Sequence, residues 1–230
     1  MTLDVRPVSA VPRWLLAFLA LGAATQIAWE AHRDTGAVAA PELPPAPGVH
    51  ALRLASFGEP EALARLAMVH LQSYRTPDYG RLIDWLEAIL ELDPRSHYPL
   101  FSAARVYAET ADPADSRMAL GFVYRQFLRD PNPRWPSLAH AALAAKHRLK
   151  DLPLARRYAQ ALRQHATASD VPAWVQQMEI FILEDLNELE AARILIGSLL
   201  ESGTLHDPAE LRFLQRRLEE LERRLAQEKR

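Results

Sequence analysis

The stretch RWPSLAHAALAAKHRL, residues 134–149, opens one unit of an internal repeat. Its proline, Pro136, has counterparts at Pro99 and Pro172, so the spacings are 37 and 36 residues. Each proline is followed by a run of alanine, leucine and other residues that favour helices. A proline in the first turn of a helix costs no hydrogen bond, because the N–H it lacks would be unpaired there. We therefore expect each of these prolines to open a helix.

Two further sets of residues repeat with the same period downstream of the prolines. Acidic residues suited to helix starts stand at Asp78, Asp115, Asp151 and Glu188, with spacings of 37, 36 and 37. The inner positions of the following helices are Leu82, Ala119, Ala155 and Ala192, with the same spacings. A common register predicts a helix–turn–helix repeat of about 36 residues, with four hairpins over residues 59–206.

The quoted stretch is also rich in small side chains. Five alanines fall within residues 139–145. Small side chains let neighbouring helices approach closely, and a helix between two others favours them. The stretch therefore predicts a helix covered on more than one side.

These residues resemble the tetratricopeptide repeat (TPR) superfamily over about two thirds of the chain. The resemblance is carried by ELDP ending at Pro94, LRDP ending at Pro131, Asp78–Tyr79, and the small Ala119, Ala155 and Ala192. It implies an all-α fold, an α-solenoid of about four TPR-like repeats. It also implies a concave groove that binds peptides or protein segments, without catalysis.

The N-terminal 33 residues contain an uncharged run of 16 residues from Trp14 to Trp29. As a helix this run would span ~24 Å, against ~30 Å for the hydrocarbon layer. It has two interpretations: a signal anchor that forms one transmembrane helix, or a signal peptide cleaved after residues 22–24. We favour the anchor. Arg6 and Arg13 then predict a cytoplasmic N-terminus in a bacterial inner membrane, with the repeat domain in the periplasm.

Residues 34–58 are expected to be a linker between this helix and the repeats. Four prolines at positions 41, 44, 45 and 47 favour an extended, semi-rigid backbone.

Residues 207–230 predict a charged C-terminal helix, with Asp207 as N-cap and Pro208 as its first residue. Its leucines form a heptad seam at positions 211, 214, 218, 221 and 225. The seam has two interpretations: a short coiled coil that makes a homodimer, or a cap on the last hairpin, which we favour.

Composition excludes several classes of function. The chain has no cysteine, which excludes disulfides, thiolate metal sites and a lipidated cysteine anchor. Its net charge of -2 does not favour nucleic acid. Phosphate-binding, dinucleotide and hydrolase motifs do not occur, so no catalytic residue, metal or cofactor is predicted.

We therefore expect a non-enzymatic scaffold or assembly factor that binds a protein or peptide in the cell envelope. Two alternatives stay open: a cleaved, soluble periplasmic ligand-binding module, and a self-assembling structural protein that dimerises through residues 207–230.

The candidate groove residues lie on the predicted first helices of the hairpins, whereas Phe101 and Phe181 are expected in the core. The groove candidates are Arg105, Tyr107, His140, Lys146, Gln176, Gln177 and Glu179. Residues 146–163 are mostly basic in charge and residues 176–201 mostly acidic. This pattern predicts either ion pairs between adjacent hairpins or a polar groove for a charged partner.

The N-terminus of the protein purified from its native membrane distinguishes anchor from cleaved signal. We expect intact-mass spectrometry to find residues 1–33 attached, because the apolar run continues to Trp29 beyond the cleavage site. A chain that begins near Thr25 would show that the segment is a signal peptide.

Overall fold

The computed structural model describes residues 20–25, 42–74, 78–203 and 207–228, together with Ala17. The chain divides into two units, Met1–Pro41 and Glu42–Arg230. In the first unit residues 20–25 are helical and exposed, while most of the Trp14–Trp29 run lies outside the described residues. No helix among the described residues is both long enough and apolar enough to cross a membrane.

In the described residues of the second unit all regular secondary structure is helical and no strand occurs, which confirms the all-α prediction. One 3₁₀ turn lies among these residues, Tyr107–Glu109, and it follows the fourth helix. The helices are α1 (Val49–Ala55), α2 (Pro60–Gln72), α3 (Tyr79–Leu92), α4 (Tyr98–Arg105), α5 (Pro113–Arg129), α6 (Pro131–His147), α7 (Leu152–His165), α8 (Ala173–Asp185), α9 (Leu189–Glu201) and α10 (Pro208–Glu228).

Helices α2 to α9 pack in sequential pairs. The pairs are α2 with α3, α4 with α5, α6 with α7, and α8 with α9, which we number as the first to fourth hairpins. Successive hairpins also touch, because α3 contacts α4, α5 contacts α6, and α7 contacts α8. In addition α4 contacts α6, and α3 contacts α5, so the first helices of the second and third hairpins are neighbours, as are the second helices of the first and second hairpins.

The repeated inner positions lie at the centre of this packing. Leu82, Ala119, Ala155 and Ala192 are each 0% exposed. Helix α6, which carries the whole alanine cluster, contacts α4, α5 and α7. Four alanines of this helix are buried, at positions 139, 141, 142 and 145. The small residues therefore stand where helices come closest, as the sequence predicts.

Two of the repeated acidic residues cap the helices that follow them. The Asp78 carboxylate accepts a hydrogen bond from the backbone N–H of Arg81 at 2.9 Å. The Asp151 carboxylate accepts one from the N–H of Leu154 at 3.1 Å. Each carboxylate satisfies an N–H that the helix itself leaves unpaired.

The other two acidic residues act differently. In the second hairpin Asp112 is the cap, accepting from the N–H of Ala114 at 2.7 Å, and Asp115 lies within the first turn. Glu188 occupies the N-cap position of α9, but its carboxylate binds Arg156 instead of a backbone N–H. A longer side chain reaches past the helix end, which explains this difference.

One of the three repeated prolines does not open its helix, contrary to the prediction from the sequence. Pro99 is the second residue of α4 and Pro172 directly precedes α8, but Pro136 lies inside α6. Helix α6 begins earlier because Pro131 occupies its first position. Pro136 therefore removes the N–H that would bond to the carbonyl of Asn132.

The expected linker differs from a free spacer over its described part. Residues 42–48, called the strap here, have no regular secondary structure and pack against α3, and Leu43 is 1% exposed. Arg81 donates to the carbonyl of Leu43, and the indole N–H of Trp85 donates to that of Pro44, both at 2.8 Å. Prolines lack N–H donors but keep their carbonyls, which need hydrogen-bond donors. Side-chain donors from α3 supply them to the carbonyls of the strap. Helix α1 follows it with Leu52 buried.

The C-terminal helix α10 packs against the fourth hairpin. Asp207 caps it by accepting from the N–H of Ala209 at 2.8 Å. Leu214 and Leu221 of the seam are 0% exposed, within a cluster that includes Leu183 and Leu195. The seam thus has the position expected of a cap, and dimerisation through residues 207–230 stays a prediction.

Substitution in the centre of the second hairpin tests the packing. Phe122, on α5, is 0% exposed, and Phe122→Ala is expected to cost ~3–5 kcal/mol of unfolding free energy through the cavity it leaves. Met118 on the same helix is 42% exposed, and Met118→Ala should change stability by less than ~0.5 kcal/mol. Chemical denaturation followed by circular dichroism measures both. Similar losses for the two variants would contradict the packing described.

Candidate partner-binding surface

Three of the seven groove candidates are buried. Tyr107, Gln177 and Glu179 are 8%, 6% and 4% exposed, which leaves them little surface to offer a partner. Helix α8 lies between α7 and α9, so its positions 177 and 179 face neighbouring helices. Burial, with Tyr98 and Tyr79 nearby, raises the pKa of Tyr107 to about 12.

Charged groups of the third and fourth hairpins pair with one another. Each pair joins a basic residue of α6 or α7 to an acidic residue of α8 or of the turn before α9. The pairs are Lys146–Asp185, Arg156–Glu188 and Arg163–Glu179. The opposite charges of residues 146–163 and 176–201 therefore form ion pairs between hairpins, the first of the two interpretations.

Arg105, His140 and Gln176 keep exposed or partly exposed side chains. The guanidinium of Arg105 lies 5.6 Å from the centroid of the Phe101 ring, a cation–π contact. Within the described residues no carboxylate lies within ion-pair distance of Arg105. Burial and the charge of Arg105 lower the pKa of His140, and Glu109 opposes them. The lowered pKa favours the neutral imidazole of His140 at pH 7.

A set of large apolar side chains is exposed, which the sequence does not predict. Phe101 and Phe181, expected in the core, are 46% and 37% exposed. We call the set the aromatic strip. Its members are Tyr98 and Phe101 on α4, Leu143 on α6, Trp174 and Phe181 on α8, and Phe213 on α10.

Ring contacts connect parts of the strip. The rings of Tyr98 and Phe101 stack within α4 with centroids 6.4 Å apart, and those of Phe181 on α8 and Phe213 on α10 lie 6.2 Å apart. Trp174 meets Trp135 of α6 edge to face at 5.5 Å.

A cleft of about 310 Å³ opens between α6 and α8 within the strip. Leu143, Trp174 and Phe181 form much of its wall, with Lys146 at its polar side. Because Lys146 is paired with Asp185, the positive charge beside the cleft is largely neutralised.

The sequence of α8 contains the signal that identifies this surface. Val175 and Ile182 are buried, whereas Trp174 and Phe181 are seven residues apart and share an adjacent, exposed face. A helix that is apolar on more than one face has more hydrophobic surface than one neighbour can cover.

Known proteins give no further guide to this surface. No family model, curated protein or solved structure matches the chain. In the part of the chain that the structure describes, no three histidine, aspartate or glutamate side chains are grouped so that they could hold a metal ion.

Titration of His140 tests the electrostatics of this face. Its pKa is lowered in the folded state, so its contribution to stability is present above the unfolded value of 6.5 and decreases as pH falls below it. Arg105→Met should raise the pKa of His140 only part of the way, because burial is the larger cause. NMR titration of the imidazole measures this.

The control for this prediction is Arg65→Met, which removes an exposed charge from α2. It should leave the His140 titration unchanged. An unchanged pKa in Arg105→Met would show that the guanidinium does not act on the imidazole.

Proposed function

We propose that the protein is a non-enzymatic scaffold that binds a protein segment along the aromatic strip. The four hairpins would form a TPR-like α-solenoid whose first helices, α2, α4, α6 and α8, line the binding groove. The observation that carries the proposal is the exposure of six large apolar side chains on α4, α6, α8 and α10. Exposed patches of large apolar side chains are typical of interaction sites.

The chemistry of the strip indicates the kind of segment that binds. The cleft beside Trp174 and Phe181 has the size and apolar lining to take one large aliphatic or aromatic side chain. Arg105 stands beside Phe101 without an ion-pair partner among the described residues. We therefore infer a partner segment with an apolar anchor and an acidic residue near it, because a carboxylate can pair with Arg105.

The proposed location is the bacterial inner membrane, with the repeat domain in the periplasm. This part of the proposal is supported by the sequence alone, through the apolar run Trp14–Trp29 and the flanking Arg6 and Arg13. In this arrangement the protein holds its partner close to the membrane, as an assembly factor does.

Crosslinking in the native membrane tests the proposal with matched variants. Phe101→Ala with Trp174→Ala removes two members of the strip, which are 46% and 47% exposed. Leu128→Ala with Ile194→Ala removes two side chains of similar exposure, 44% and 59%, from α5 and α9. The full-length protein and both double variants are crosslinked, purified and compared by mass spectrometry.

We expect a discrete set of envelope proteins that is lost from the strip variant and kept in the control variant. Loss of a central aromatic anchor typically costs at least ~2 kcal/mol, or about thirtyfold in affinity. If both double variants recover the same proteins as the wild type, the strip is not the binding surface.

A further inference from the structure

A second surface gathers four arginines around one cleft of about 510 Å³. They come from four separate elements: Arg53 from α1, Arg95 from the α3–α4 loop, Arg129 from the end of α5 and Arg134 from α6. We call it the arginine cleft. Only two carboxylates, Glu91 and Asp130, line it as well, so it has a formal excess of two positive charges.

The four arginines lack carboxylate partners within the described residues, none of which places an acidic oxygen within 4.0 Å of them. Elsewhere in the described chain most ion pairs join arginines to carboxylates, including Arg117–Asp151 at 3.1 Å and Arg125–Glu87 at 3.2 Å. Four like charges with only two carboxylates in the same lining, and none at ion-pair distance, repel one another, so their convergence needs another explanation.

Part of that explanation is structural. Arg134 is 7% exposed and donates to the carbonyls of Gln126 at 2.7 Å and Pro94 at 3.1 Å. Arg53 donates weakly to the carbonyl of Glu91 at 3.5 Å. These two arginines satisfy carbonyls at or just beyond helix C-termini, where positive charge is favourable.

The structural role does not account for the other two arginines. Arg95 has no hydrogen bond within the described residues, and Arg129 has one, a long contact of 3.4 Å to the amide oxygen of Gln126. Both side chains are exposed at the mouth of the cleft and keep most of their donors.

Gln126 links two of the arginines. It is 1% exposed and lines the cleft. Its Oε1 accepts from Arg129 and from Arg134, each at 3.4 Å. These shared contacts hold two guanidinium groups beside each other at the wall of the cleft.

We propose that the arginine cleft binds a phosphate group, carried either by a small soluble molecule or by the headgroup of an anionic phospholipid. A phosphate presents several acceptor oxygens in different directions and so can meet guanidinium groups that converge from separate elements. Its charge at pH 7, ~-1.5 to -2, matches the formal excess of the lining. A smaller depression of about 260 Å³ shares Arg95 and Arg134 with the cleft and adds His97, leaving room for a larger phosphorylated group. This inference does not depend on the proposed scaffold function.

Calorimetric titration of the full-length protein in nonionic detergent with sodium pyrophosphate, at constant ionic strength, tests the proposal. The test variant is Arg95→Met with Arg129→Met, whose side chains are exposed and do not support the core. The control variant is Arg216→Met with Arg223→Met, which removes the same number of exposed positive charges from α10. These two arginines line a different cleft, which also contains the carboxylates of Glu219 and Glu220.

We expect saturable binding to the wild type and the control variant, and binding at least ~10-fold weaker to the test variant. Absence of saturable binding to the wild type would overturn the proposal. Equal weakening in the two variants would also overturn it, because the effect would then follow net charge rather than the cleft.

Competition by short-chain lipids identifies the source of the phosphate. If dihexanoyl phosphatidylglycerol displaces pyrophosphate and dihexanoyl phosphatidylcholine does not, the phosphate is that of an anionic phospholipid headgroup. If neither lipid displaces pyrophosphate, the ligand is a soluble phosphorylated molecule. Both results keep the phosphate site.

Discussion

Close approach between hairpins is the constraint on which the structure depends. A pair of helices cannot cover its own apolar faces, so each hairpin is completed by its neighbours. The approach requires small side chains at the second-helix positions Ala119, Ala155 and Ala192, all of which are fully buried. Larger residues would separate the helices at a typical cost of ~1–3 kcal/mol each. Helix α6 meets the same constraint on three sides with its cluster of alanines.

Charge determines which hairpins can be neighbours once their faces are close. The carboxylate of Glu184, whose side chain is 6% exposed, meets Arg217 and Arg224 of α10. Glu179 meets Arg163 of α7 in the same way. Such pairs add little net stability, but a buried carboxylate without its arginine is costly. A different helix in place of α10 or α7 would therefore be rejected, and the order of packing is specified as well as stabilised.

The sequence predicts features that follow from local geometry and periodicity, and misses those that depend on rotation of helices. The period places Leu82 and Ala192 in the core, and carboxylate chemistry identifies Asp78, Asp151 and Asp207 as caps. The exposure of Phe101 and Phe181 depends on how far α4 and α8 are turned against their neighbours, which periodicity does not determine. Pro136 is expected from the sequence to open helix α6, but Pro131 occupies the first position of that helix instead. The arginine cleft joins residues up to 81 positions apart, from Arg53 to Arg134, so no local pattern reveals it.

The strap has a mechanical consequence. It attaches to α3 through the buried side chain of Leu43 and through hydrogen bonds from Arg81 and Trp85 to successive carbonyls. Tension applied to the chain before residue 42 therefore loads these contacts before it reaches α1. The load falls on two hydrogen bonds and one buried apolar side chain, all of them made to α3. The strap thus transfers tension from the N-terminal side of the chain directly to the first hairpin and bypasses α1.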